Sequence, residues 1–314
     1  MLIKPLLHWV TGAQASRRLS VFIFHRVLAV PDPLFPNEMH ARRFDELCAW
    51  LDSWFTVLPL DQAIEHLKAG SLPARAACIT FDDGYADNYQ VALPILAHHQ
   101  LTATFFIATG FMGGGRMWND SLIETIRSSP LPVLDLSRLG LGCYDLHGVD
   151  AQCAAIATLI QQLKYRDTAE RVELTEKIAS LAEVTLPIDL MMNSQQVIAL
   201  REAGMQVGAH TQTHPILARL TDEKVRQEIQ GSQACLESLL GERIRLFAYP
   251  NGKPGEDYTP RCVKVVRDLG FDGAVSTQWG ASAAGDDLYQ IRRFTPWDAS
   301  RLKFGLRVLK NLKS

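Results

Sequence analysis

The sequence lacks an excess of charge of either sign, and it lacks any long apolar run. Its 32 lysine and arginine residues nearly balance its 34 aspartate and glutamate residues, whereas a nucleic-acid-binding protein usually carries a basic excess. No apolar run approaches the ~20 residues that a membrane-spanning helix needs. We therefore expect no nucleic-acid partner and no bilayer-spanning segment.

The six cysteines lack the spacing of a disulfide framework or of a zinc finger, since none of them forms a C-x-x-C pair. A reducing compartment, and hence a cytoplasmic location with or without membrane association, is the expectation. The N-terminal segment MLIKPLLHWVTGAQAS contains Ala13-Gln14-Ala15, which resembles a signal-peptidase site. Its apolar stretch is short and carries His8, so we interpret it as mature protein. A cleaved signal peptide would instead predict a periplasmic location.

What the sequence does contain is a regular alternation of short β-rich apolar runs with segments of helical periodicity. Seven runs have the composition of buried strands: SVFIF (20–24), ACITF (77–81), TATFFIA (102–108), MQVGAH (205–210), IRLFAYP (244–250), FDGAVST (271–277) and YQIRRF (289–294). Such alternation is typical of a parallel sheet, and this length favours a closed one. We predict one α/β catalytic domain, residues 1–314, built as a distorted (β/α) barrel with seven or eight parallel strands.

Two segments depart from this alternation. Residues 118–193 contain helical patterns and no convincing strand, which predicts a helical insertion over one barrel loop. The C-terminal segment SRLKFGLRVLKNLKS has five basic residues and no acidic one. It predicts a final barrel helix with a solvated basic face, or alternatively a helix that makes a peripheral contact with a membrane.

Reactive side chains follow several of the predicted strands at their carboxyl ends. They are His25, the pair Asp82 and Asp83, His210 with His214 four residues later, Asn251, and the pair Arg292 and Arg293. Barrel enzymes build their active sites at this end of the strands. Five strands contributing such residues together predict an active site.

The adjacent carboxylates of Asp82 and Asp83 repel each other unless a cation or strong donors share their site. The motif DDG is also good turn chemistry, so a purely structural turn is the alternative. His210 and His214 lie in HTQTHP, where one turn of the loop would bring both imidazoles together. One carboxylate with two histidines is a three-ligand set with open positions. One divalent ion is therefore predicted, with zinc the best fit and manganese, cobalt, nickel or iron also accommodated.

The motifs TFDDGYADN, HTQTHP and FAYPNG together resemble those of the polysaccharide deacetylase family, carbohydrate esterase family 4. The resemblance extends from about residue 20 to 298, apart from the insertion. It implies a distorted (β/α) barrel that removes N-acetyl groups from amino sugars with a divalent metal. It also implies Asp82 as general base, Asp83, His210 and His214 as metal ligands, and the Asn251 backbone N–H as oxyanion donor.

The sequence departs from the commoner family pattern at two positions. Ala248 stands where many members have an arginine that orients the base, and no histidine follows His214 to serve as the acid. FIFHRV is similar to an early motif of members that act on exopolysaccharides, which implies His25 as the acid. Arg293, with Arg292 as the alternative, would take the orienting role.

The expected activity is metal-dependent N-deacetylation of an oligo- or polysaccharide, or of its precursor. One alternative is a deformylase or amidase that acts on a lipid-linked amino sugar. Another is an inactive carbohydrate-binding protein that kept the fold, because of the two departures from the family pattern.

Overall fold

The computed structural model describes residues 17–313 of the chain. The strands in this part, in chain order, are β1 (Arg18–Phe24), β2 (Thr56–Val57), β3 (Ala76–Phe81), β4 (Thr104–Ile107), β5 (Val133–Asp135), β6 (Cys143–Asp145), β7 (Gln206–Ala209), β8 (Leu246–Ala248), β9 (Gly273–Trp279), β10 (Ser282–Ala283) and β11 (Ile291–Arg293). Each of the seven strands expected from the sequence corresponds to one of these.

The strands of the main sheet follow the order β10-β1-β3-β4-β7-β8-β9-β11, and β2 pairs with the start of β3. Only the β1–β10 pair is antiparallel among the described pairs of this sheet. Beyond β11, Phe294 N donates to Val21 O at 2.8 Å and Ile23 N donates to Phe294 O at 3.1 Å. These bonds return the sheet to β1, so the predicted distorted (β/α) barrel is confirmed.

The strands are continuous apolar runs because both of their faces are covered. Every residue of β3 is buried, as expected for a parallel strand with helices on one side and the barrel interior on the other. Phe81 at its end stacks on Phe105 of β4, with ring centroids 4.7 Å apart, and on Phe24 of β1 at 5.2 Å. Phe44, from a neighbouring helix, makes edge contacts with both Phe24 and Phe81, so these rings join the strands to the helical layer.

The helices lie between the strands in the sequence, except for the last one, which follows the final strand. In chain order the described α-helices are α1 (Ala41–Trp54), α2 (Leu60–Ala69), α3 (Leu93–His98), α4 (Trp118–Ser128), α5 (Gly148–Leu163), α6 (Thr168–Leu181), α7 (Ser194–Glu202), α8 (Asp222–Leu240), α9 (Pro260–Asp268) and α10 (Arg301–Asn311). α8 shows how the local sequence sets such bounds. Thr221 Oγ1 accepts from Lys224 N at its start, and Gly241 ends it with a left-handed φ of 66°.

Residues 31–38 and 114–191 form a compact unit of their own, and the described residues 17–30, 39–113 and 192–313 form the barrel unit. The smaller unit contains α4, α5 and α6, with a core that includes Leu122, Leu159 and Ile178. It also contains an antiparallel hairpin of β5 and β6, which the sequence did not predict because three-residue strands show no periodicity. A single domain with an insertion over 118–193 stays a prediction.

No helix within residues 17–313 combines the length and the apolar character that crossing a bilayer requires. The segment with Ala13-Gln14-Ala15, on which the choice of compartment depends, lies outside the described residues. The location of the protein therefore stays a prediction.

Candidate metal centre and active site

Three side chains from two loops converge on one point at the carboxyl ends of β3 and β7. Asp83 Oδ1 lies 3.4 Å from His210 Nε2 and 3.3 Å from His214 Nε2, and the three ligand atoms all lie within 4.8 Å of one another. Asp83 Oδ1 is buried, and within the described residues it accepts no hydrogen bond. A buried acceptor without a donor, beside two imidazole nitrogens, fits a bound cation, and this donor set suits a transition metal.

Both imidazoles face Asp83, and the ring of His210 is held by a backbone acceptor. Nδ1 of the buried His210 donates to the carbonyl oxygen of Ala248 at 2.8 Å, which leaves the lone pair of Nε2 facing Asp83. A backbone acceptor of this kind is a usual second partner of a metal-binding histidine. Burial lowers the pKa of His214 to about 4, so its ring is neutral near pH 7, as a ligand must be.

The loop that carries the two histidines is strained and is held from outside. Thr211 and His214 adopt left-handed φ angles of 62° and 53°, conformations that non-glycine residues keep only when their surroundings impose them. Glu228 on α8 supplies such support. Its Oε2 accepts from the N–H groups of Gln212 and Thr213, both at 2.9 Å, and its Oε1 accepts from Thr213 Oγ1 at 2.6 Å.

Asp82 does not join the three ligands but forms a buried pair with Arg293. Arg293 Nη1 and Nη2 donate to the two carboxylate oxygens of Asp82, both at 2.7 Å. Arg293 Nε also donates to Ser276 O at 2.8 Å, which fixes the plane of the guanidinium. Burial raises the pKa of Asp82, but Arg293 and His210 outweigh it and hold that pKa below its ordinary value. Asp82 is therefore a carboxylate at neutral pH.

His25 stands at the end of β1 with an exposed side chain. It is close enough for its charge to lower the pKa of both Asp82 and Asp83. Two residues of the TFDDGYADN motif hold its loop. Asn88 Nδ2 donates to His25 O at 2.8 Å, and Asp87 accepts from Val27 N at 3.1 Å.

Asn251 lies in the exposed turn after β8, with a left-handed φ of 56°. Its carbonyl oxygen accepts from Thr277 Oγ1 at 2.7 Å, which fixes the orientation of the turn. Arg292 is half-buried and its N–H donates to Ser282 Oγ at 3.1 Å. Of the two arginines proposed for orienting the base, Arg293 is therefore the one that contacts Asp82.

Three residues that support the site did not emerge from the sequence. Asp87 and Asn88 belong to the motif TFDDGYADN, so their closeness in the sequence to Asp82 and Asp83 could have indicated a role at the site. Nothing in the sequence indicated Glu228, because a glutamate on an amphipathic helix is usually a solvent-exposed residue.

A second group of potential ligands, Asp45, His98 and His99, lies at the surface. His99 Nε2 and Asp45 Oδ1 are already in contact at 2.7 Å, closer than two ligands of one ion normally approach each other. We interpret this group as a surface hydrogen bond between His99 and Asp45 and assign no metal to it.

The fold and the site together define a class of protein: a (β/α) barrel hydrolase with an aspartate and two histidines at a candidate metal centre, and a buried carboxylate beside it. Comparison with known proteins agrees with this class. The family model described as polysaccharide deacetylase matches residues 69–133 and 147–274. The chain belongs to the polysaccharide deacetylase family, whose members in carbohydrate esterase family 4 depend on a metal.

Two relatives share low sequence identity with this chain. The chain is 19% identical over 287 residues to the Bacillus subtilis protein YxkH, named as a polysaccharide deacetylase, and the match covers 91% of this chain and 73% of that one. It is 27% identical over 173 residues to a poly-β-1,6-N-acetyl-D-glucosamine N-deacetylase of Staphylococcus aureus. That match covers 53% of this chain and 58% of the length of the staphylococcal protein.

Solved structures share the fold. The Streptococcus pyogenes deacetylase PplD superposes with a TM-score of 0.62 and 17% identity, covering 95% of this chain and 99% of that one. IcaB from Ammonifex degensii gives a TM-score of 0.60 and 18% identity, covering 95% and 97%. At these identities the similarity shows a common fold alone.

Proposed function

We propose that this protein is a hydrolase that removes N-acetyl groups from amino-sugar residues of an exopolysaccharide, with one divalent ion, preferably zinc, held by Asp83, His210 and His214. One arrangement supports this proposal most strongly. Two imidazoles meet one carboxylate at the end of the barrel, and a second carboxylate is anchored separately beside them. Hydrolysis of an amide needs both a metal site and a base.

The division of labour between the two aspartates follows from their partners. Asp82 is anchored by Arg293 and its ionised form is favoured, so it accepts the proton of the attacking water while the water oxygen bonds to the amide carbon. Asp83 has one oxygen free of hydrogen bonds and turned to the imidazoles. Asp83, His210 and His214 would hold a divalent cation there, which would supply polarisation of the amide carbonyl and a lower pKa of bound water, the assistance that a poor electrophile requires.

Two further residues would complete the reaction. The backbone N–H of Asn251 donates to the oxyanion that forms when the carbonyl double bond opens. His25, exposed at the rim and close to both aspartates, gives a proton to the amine nitrogen as the carbon–nitrogen bond breaks. Acetate and a free amino sugar are the products.

The substrate class is supported by relatives. The staphylococcal relative is named for poly-β-1,6-N-acetyl-D-glucosamine, so a β-linked N-acetylglucosamine polymer is the proposed substrate. The pairing of Arg293 with Asp82 removes one reason to expect an inactive protein, because an arginine meets the base although position 248 is alanine.

The experiment is release of acetate from a panel of N-acetylated oligosaccharides by the zinc-loaded protein and by Asp82→Asn. We expect the substitution to lower kcat by about 10²- to 10⁴-fold, because the amide cannot accept the proton. Metal content should stay near one ion per chain, since Asp82 is not proposed as a ligand. Asp52→Asn, at an exposed aspartate on α1 away from the site, is the matched control.

Full activity of Asp82→Asn would refute the mechanism. Formate release from a formylated amino sugar, with no acetate release from any member of the panel, would identify a deformylase instead. Binding of sugar and zinc without either product would identify a carbohydrate-binding protein.

A further inference from the structure

The outer side of α10 carries apolar side chains that the barrel does not cover. Phe304 and Val308 on the inner side of this helix are buried in the core. Leu302 and Leu306, one turn apart on the other side, are 63% and 56% exposed. Trp297, just before the helix, is 74% exposed. Large apolar groups rarely gather on a surface without a partner.

Basic side chains accompany these apolar groups. Lys303, Lys310 and Lys313 are exposed, and within residues 17–313 no carboxylate forms an ion pair with any of them. Arg307 differs, because its Nη1 lies 2.9 Å from Asp298 Oδ2. The helix therefore presents several unneutralised positive charges next to its exposed leucines.

We propose that Trp297, Leu302, Lys303, Leu306 and Lys310, here called the α10 face, dock this protein on a bilayer that contains anionic phospholipids. Exposed leucine and tryptophan can enter the headgroup region while lysines contact the negative surface, which is how amphipathic helices bind at an interface. The charge argues against two other partners. A second copy would bring an equally positive face, and a polymer with free amino groups would be repelled.

This inference does not depend on the proposed function, because binding to a bilayer is measured without substrate or turnover. A protein that failed to release acetate could still dock, and an active deacetylase could fail to dock. The two proposals are therefore tested separately.

The test is cosedimentation of the full chain with vesicles of phosphatidylcholine alone and with vesicles that also contain phosphatidylglycerol. We expect binding to the mixed vesicles and a loss of binding in 0.5 M salt, where the Debye length falls to about 4 Å. Lys303→Gln with Lys310→Gln should weaken binding roughly 30-fold, since each lysine near such a surface contributes about fivefold. Leu302→Ser with Leu306→Ser should weaken it about tenfold, through loss of buried apolar area.

Matched controls remove the same residue types from other surfaces. Lys68→Gln with Lys264→Gln removes two exposed helical lysines, and Leu181→Ser with Ile188→Ser removes two exposed apolar side chains. Both controls should bind vesicles as the unchanged protein does. Thermal unfolding of every variant verifies that the chain is folded.

Absence of binding to the mixed vesicles would overturn the proposal, as would equal binding by the α10-face variants and their controls. Concentration-dependent dimerisation in light scattering, abolished by Leu302→Ser with Leu306→Ser, would also overturn it and assign the face to a second copy of the chain.

Discussion

Arg293 reaches Asp82 from β11, whereas the end of β8, where the resemblance to the family leads one to expect an arginine, carries Ala248. Its planar guanidinium meets both carboxylate oxygens of Asp82 at once. Such a fork fixes the direction of the carboxylate as well as its charge, which an ammonium cannot do. Asp82 therefore has an arginine partner although position 248 is alanine.

Two replacements of Arg293 distinguish its effect on the orientation of the Asp82 carboxylate from the effect of its positive charge. Arg293→Lys keeps the charge and loses the fork, so we expect kcat to fall by about 10- to 100-fold in a folded protein. Arg293→Met leaves Asp82 buried without a counterion, so the free energy of unfolding should fall by about 3–5 kcal/mol. Acetate release and denaturant unfolding measure the two effects.

The matched control is Arg292→Lys, one residue away on the same strand and facing the other side. Its kcat should stay within about twofold of the unchanged protein. If both arginines gave equal losses, the effect would belong to β11 as a whole and not to the pair with Asp82.

At the scale of elements, α8 shapes the loop that holds two of the proposed ligands. Glu228 binds the N–H groups of Gln212 and Thr213, and Gly231 on the same helix lets the Gln212 side chain approach. A Cβ atom at position 231 would lie 2.5 Å from that side chain. α8 therefore holds the strained backbone around His214 in its conformation.

Removing this support should loosen the metal centre. Glu228→Ala leaves two backbone N–H groups and a hydroxyl without their acceptor, and we expect the affinity for zinc to fall about tenfold or more, as for other residues that position ligands. Glu228→Gln keeps an acceptor and should lose less. Competition with a coloured chelator measures the affinity.

Glu223→Ala, on the exposed first turn of α8, serves as the control and should leave zinc affinity unchanged. An equal affinity for Glu228→Ala would show that the loop holds its shape without α8.

At the scale of the whole molecule, the candidate metal centre joins two loops that are far apart in the sequence, after β3 and after β7. Ligand binding to the folded state alone stabilises it, by about 2.7 kcal/mol at a free concentration 100 times the Kd. The ion is therefore expected to hold this end of the barrel together.

Chelation should consequently lower the Tm, by roughly 5 °C for a chain of this size. His214→Ala should abolish the response to added zinc, whereas the exposed His147→Ala should keep it. Calorimetry with and without zinc measures both. If zinc did not raise the Tm of the unchanged protein, this result would contradict a metal centre at Asp83, His210 and His214.

The sequence alone predicted the strands and singled out Asp82, Asp83, His210 and His214 as one candidate site. Buried parallel strands are continuous apolar runs with turn residues at their ends, so seven of them were visible, and reactive residues at the same end of parallel strands must come near one another. The local sequence pattern is enough to predict these strands, because burial of a strand on both faces requires apolar residues within that strand itself.

Tertiary structure decided what depends on residues far apart in the chain. It determined that Arg293 and not Arg292 meets Asp82, that Glu228 anchors the HTQTH loop, and that Phe294 bonds back to β1. It also determined that Leu302 and Leu306 point outward while Phe304 points inward. In each case the contact depends on which residues pack opposite a given side chain. These partners come together only when the barrel closes.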